Sequence, residues 1–61
     1  MPFITVKVLE GKTKEQKGQL VEKMTSVVSE TFGVNKNDVY IFFEDLKKDD
    51  YGKHGKLYSD N

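Results

Sequence analysis

The sequence is 61 residues long, enough for one domain spanning residues 1–61 and no more. It contains no cysteine and one histidine, which excludes disulfides and argues against a structural zinc site. Ten basic and ten acidic residues cancel and are scattered along the chain, so its charge favours neither nucleic acid nor an anionic membrane surface as a partner.

A lone domain of this size buries only roughly 60% of the surface its unfolded chain exposes, and with disulfides and metal set aside, oligomerisation is the remaining way to complete a core. The amino terminus lacks the charged and apolar regions of a signal peptide, and no stretch approaches the ~20 apolar residues of a membrane span. The expectation is a soluble, cytoplasmic protein. Every basic residue is Lys; the chain has no Arg.

In chain order, Phe3 to Leu9 (FITVKVL) is β-branched and aromatic, with Ile4, Val6 and Val8 on one face and Phe3, Thr5, Lys7 and Leu9 on the other. It predicts a strand. Glu10-Gly11-Lys12 breaks the alternation, and Thr13-Lys14-Glu15-Gln16 reads as a capping box that starts a helix at about Lys14. Leu20, Val21, Met24, Val27, Val28, Thr31 and Phe32 recur at three- and four-residue steps, predicting an amphipathic helix that ends near Phe32, with Gly33 at its left-handed closing position. Gly18 is a local conflict, costing about 1 kcal/mol relative to Ala inside a helix.

Val34 to Asp38 is expected to be a short loop, followed by a second strand, Val39 to Phe43, apolar on both faces. Strand, helix and strand make a right-handed βαβ crossover with parallel strands. One helix covers one sheet face, so the other should meet another subunit, and the face bearing Ile4, Val6 and Val8 is expected to be the one a lone chain exposes. Lys47-Lys48-Asp49-Asp50 reads as a solvated turn, and Tyr51 to Leu57, with Gly52 and Gly55, has the spacing of a short hairpin.

Composition and periodicity stop at an oligomeric α/β module. The chemistry enters with Pro2 directly before a strand and with Leu9-Glu10-Gly11-Lys12-Thr13-x-Glu15-Gln16-Lys17 leading into the helix. Together with Glu44-Asp45, Tyr51-Gly52 and Gly55, in register and without gaps, this pattern resembles the 4-oxalocrotonate tautomerase family over nearly the whole chain. The resemblance implies a catalytic base at Pro2, a cationic substrate ligand at Lys12 and an aromatic wall at Tyr51, in active sites lying between subunits. It also implies an assembly in which two βαβ units join sheets into a four-stranded dimer and three dimers form a hexamer.

Pro2 alone would read as a strand-opening residue, which proline tolerates because it lacks only a donor. With the family pattern it gains a second reading. Once Met1 is removed, the prolyl nitrogen is a secondary amine that accepts a proton, whereas with Met1 retained it is an amide. An aromatic wall at Tyr51 would disfavour the protonated amine and hold it below the ordinary α-amino range.

Lys12, by itself, is a solvated loop lysine. The family typically has Arg there, whose planar fork grips a carboxylate; lysine offers a point charge on a flexible stem. Where the best-characterised members carry a second Arg, this chain has Tyr40. A two-arginine clamp for a dicarboxylate is therefore impossible, and the resemblance implies that Tyr40 takes that place against the substrate. His54 reads as a surface histidine, and Glu44 and Asp45, being adjacent in a strand, point to opposite faces and read as structural.

The resulting expectation is an enzyme, an isomerase that interconverts keto and enol forms of a small 2-hydroxy-dienoate or 2-oxo acid without metal or other cofactor. Hydration, decarboxylation or dehalogenation of an unsaturated acid by the same amine is the alternative within enzymes. A non-catalytic oligomeric binding module is the alternative if Met1 is retained.

Overall fold

The computed structural model describes residues 1–60. Strand β1 (Phe3–Leu9) leads through a tight turn into helix α1 (Lys14–Phe32), and strand β2 (Tyr40–Leu46) returns parallel to β1, in register from Phe3 opposite Tyr40 to Leu9 opposite Leu46. A C-terminal arm carries a two-residue hairpin, β3 (Gly52–Lys53) antiparallel to β4 (Lys56–Leu57). This is the expected βαβ unit with a hairpin. No helix among the described residues is long and apolar enough to cross a membrane.

Local chemistry sets the helix ends as the sequence predicts. Thr13 Oγ1 accepts from the Gln16 N–H at 3.1 Å while Gln16 Oε1 accepts from the Thr13 N–H at 2.9 Å, so both partners of the capping box are in place. At the other end Gly33 adopts φ 66°, and its N–H donates to the Ser29 carbonyl, closing the last turn in a conformation that side-chain-bearing residues rarely adopt. The hairpin turn depends on the same freedom: His54 and Gly55 both have positive φ, 57° and 79°, the pattern of a two-residue turn that matches strand twist. His54 is exposed there, as expected.

Two segment boundaries differ from expectation. The Val34–Asp38 segment contains a single 3-10 turn, Lys36–Asp38, started by Asn35 Oδ1 accepting from the Asn37 N–H at 2.8 Å. Strand β2 begins at Tyr40 rather than Val39 and runs on to Leu46 rather than stopping at Phe43. Glu44 and Asp45 do not end the strand because they alternate like the residues before them. Asp45 faces the helix, where its Oδ2 accepts from Lys17 Nζ at 2.9 Å, and the same ammonium lies 5.7 Å from the Phe43 ring centroid. Both groups are partly exposed, so the pair contributes at most about 1 kcal/mol; its effect is to fix the first turns of α1 over β2.

The two sheet faces are also the reverse of the expectation. Ile4, Val6, Val8, Ile41 and Phe43 lie on the side that carries α1 and are half-buried. The open face is the other one, where Phe3, Tyr40 and Phe42 are 65%, 40% and 51% exposed. Alternation separates two faces but does not say which meets the helix; here the aliphatic face does and the aromatic face remains open. The helix stripe is narrower than predicted as well. Val21, Met24 and Val28 are half-buried, while Leu20, Val27, Thr31 and Phe32 are exposed, because a sheet of two strands is too narrow to cover the whole apolar arc.

Within a single chain none of the described residues is fully buried, and the shape is a slab of 44 × 23 × 13 Å. Among the described residues, α1 lies on the β1–β2 sheet without a third surface to close the core. Gly18 sits in the exposed part of α1, and a Cβ placed there would meet nothing within 4 Å. Gly18→Ala should therefore stabilise the protein by about 0.5–1 kcal/mol, measured as a rise in the thermal midpoint. A fall in the midpoint would mean that another copy approaches that backbone too closely for a methyl group.

Candidate functional site

The parallel register sorts the four candidate residues to two ends of the sheet. Pro2 immediately precedes β1, and its carbonyl accepts a hydrogen bond from the Tyr40 N–H at 3.0 Å, so the ladder continues through it. Tyr40, the first residue of β2, is thereby tied to Pro2 by backbone and stacked through its ring on Phe3, with centroids 5.2 Å apart and planes inclined by 16°. Phe42 extends the stack, 6.5 Å from Phe3 and inclined by 19°. Sequence alternation put Phe3 on this face; the platform emerges only when the register puts Tyr40 beside it.

Lys12 and Tyr51 belong to the other end. Lys12 follows β1 in the turn before α1, close to where the Glu10 N–H donates to the Leu46 carbonyl at 2.9 Å. Tyr51 lies in the arm that leaves β2 from this same end, its ring 5.2 Å from that of Tyr58, whose N–H donates to the Tyr51 carbonyl at 2.9 Å. Tyr58 is a partner that the sequence reading missed; its signal was an aromatic residue just after the hairpin, positioned to meet the one just before it.

Seven residues of β1 separate Pro2 from the Lys12 turn, and at about 3.3 Å per residue this is roughly 23 Å. No lysine side chain spans that gap. The chain therefore brings Pro2 together with Tyr40 but does not bring Lys12 to Pro2.

Lys12 lines a shallow cavity of about 120 Å³ with Val8, Gln16, Lys17, Leu20 and Phe43. Lys17 is committed to Asp45, whereas Lys12 is exposed and has no ion-pair partner among the described residues. A second hollow of about 190 Å³ lies on the helix beside Lys23, Met24, Val27 and Val28, away from every candidate residue. Both are smaller than the roughly 300–1,000 Å³ of ordinary small-molecule sites, so one chain does not enclose a ligand. Among the described residues no group of three or more His, Cys, Asp or Glu could hold a metal ion.

Known proteins share this fold. Residues 2–61 match the family described as "Tautomerase enzyme". The 2-hydroxymuconate tautomerase of Bacillus subtilis (strain 168) is 50% identical over 60 residues, covering 98% of this chain and 97% of its own, and a probable tautomerase of Bacillus cereus is 48% identical over 98% of both. A crystal structure of a homologue of 4-oxalocrotonate tautomerase superposes with a TM-score of 0.92 at 48% identity, covering 98% of each chain. Fold, length and family match agree from end to end, and the chain belongs to the tautomerase family of enzymes.

Proposed function

We propose that the protein is a cofactor-independent tautomerase acting on a small 2-hydroxy-dienoate or 2-oxo acid, with the Pro2 nitrogen as general base after removal of Met1. The observation that carries this reading is the hydrogen bond from the Tyr40 N–H to the Pro2 carbonyl. Chain termini usually fray, and a base on a frayed terminus would be poorly aimed. The hydrogen bond to its carbonyl supports the reading because, with Met1 removed, it would hold the terminal proline on the strand end, from which its nitrogen would remove a proton next to a carbonyl system and return it to a different carbon.

The developing oxyanion and the substrate carboxylate need cationic or N–H donors. Lys12 is the donor we assign, with Tyr51 as an aromatic wall that excludes water. Both stand at the far end of the chain from Pro2, so a site using all three takes Pro2 from one copy and Lys12 and Tyr51 from others. A copy running antiparallel across a two-fold axis presents its Lys12 end to the Pro2 end of its neighbour, twice over by symmetry. The unburied core supports the same assembly, a homo-oligomer that we propose to be a hexamer built from dimers with four-stranded sheets. The name of the B. subtilis relative makes 2-hydroxymuconate an appropriate first substrate to assay.

Two outcomes are expected. Protein whose mass confirms loss of Met1 should ketonise an enol substrate with a rate that rises with pH as the amine loses its proton, whereas protein retaining Met1 should be slower by roughly 10²–10⁴-fold, the contribution of a general base. Equal rates for the two forms would remove the amine from the mechanism. Lys12→Ala should lower kcat/KM by roughly 10- to 150-fold, as expected for loss of a charged hydrogen bond of about 1.5–3 kcal/mol. Steady-state kinetics on the best substrate checks this, and an unchanged value would exclude Lys12 as the ligand.

A further inference from the structure

We propose that the Phe3–Tyr40 platform beside the terminal proline selects the substrate class: a flat aryl or extended unsaturated 2-oxo acid carrying a single carboxylate, in preference to a dicarboxylate. The inference rests on Pro2 as base and specifies what that base meets. Tyr40 is one hydrogen bond from Pro2, and Phe3 is its covalent neighbour. Three nearly parallel rings, Tyr40, Phe3 and Phe42, therefore begin where the base stands and continue across the open face. An aromatic surface of this kind favours another flat π-system, through area and stacking together.

The distribution of charge points the same way. A dicarboxylate needs a cationic ligand at each end, because a second carboxylate left unpaired in a water-excluding site is costly. The chain has no Arg. Lys7, on the open face, stands opposite Glu44 in the ladder, and Lys36 lies in the same turn as Asp38, so each has a carboxylate nearby. Lys17 is paired with Asp45 on the helix side. With Lys12 assigned to one carboxylate, a second carboxylate at the Pro2 end of this face would meet aromatic rings and the Tyr40 side chain where a guanidinium would be needed.

The test uses the Met1-free assembled protein and two ligands that are not turned over, cinnamate as an aryl monocarboxylate and cis,cis-muconate as a dicarboxylate, titrated by calorimetry. Kinetics with the enol of phenylpyruvate and with 2-hydroxymuconate run in parallel. The wild-type protein should bind cinnamate at least about tenfold more tightly than muconate, and Tyr40→Arg should shift that ratio toward muconate by roughly tenfold or more, the effect of one added charged hydrogen bond. Tyr40→Leu should weaken cinnamate binding while leaving the sedimentation coefficient unchanged. Tighter binding of muconate by the wild type, an unmoved ratio in Tyr40→Arg, or a Tyr40→Leu variant altered only in assembly would each overturn the proposal, the last by showing that the platform is a contact between copies. Because binding needs no turnover, an inert protein that still prefers cinnamate would defeat the tautomerase reading alone. An active one that prefers muconate would defeat the substrate assignment alone.

Discussion

Because β1 and β2 run parallel and in register from Phe3 and Tyr40 to Leu9 and Leu46, whatever precedes a strand gathers at one end of the sheet and whatever follows a strand leaves from the other. Pro2 precedes β1 and Tyr40 opens β2, so they meet. Lys12 follows β1 and Tyr51 follows β2, so they start from the opposite end. An antiparallel hairpin would have mixed these sets within one chain. The crossover connection, which parallel strands require, separates them by the length of a strand, and both the incompleteness of the single chain and the shared site we propose follow from that separation.

The same ladder governs packing. It sends Ile4, Val6, Val8, Ile41 and Phe43 to the helix and leaves Phe3, Tyr40 and Phe42 open. One helix on two strands buries none of the described residues fully, and a two-stranded sheet is marginal in water without further strands or packing partners. Leu20, on the exposed edge of the helix stripe, shares the hollow that contains Val8 of β1, while Lys17 reaches across to Asp45 of β2. Leu20 and Val27 are the part of the stripe that the two strands leave uncovered.

Much of this was legible in the residues. Thr13 and Gln16 fixed the helix start, Gly33 its end, and the crossover logic gave parallel strands. The faces were not legible, because alternation in Phe3–Leu9 is symmetric with respect to which side the helix takes, and the branched side chains of Ile4, Val6 and Val8 looked as suitable for a subunit contact as for a helix. Strand β2 was read short because its apolar run, Val39 to Phe43, set the bounds, whereas the strand also takes in Glu44 and Asp45, the second of which answers Lys17 from the helix. For the site, Pro2, Lys12, Tyr40 and Tyr51 came from resemblance to a family. Their division between two ends could have been deduced from the predicted parallel strands alone, since a residue before a strand and one after it are necessarily a strand length apart.

The most direct test of a divided site is complementation between two differently disabled chains. One chain carries a residue in front of Pro2, so that it has Lys12 but no free amine; the other carries Lys12→Ala with Pro2 free. Each is assembled alone, and both are then unfolded, mixed and refolded together, with mixed assemblies verified by native mass. If Pro2 and Lys12 act on one substrate from different copies, the mixture should recover tautomerase activity well above the sum of the two separate assemblies, because some sites then combine an intact base with an intact lysine. Verified mixed assemblies that are no more active than that sum would contradict the account.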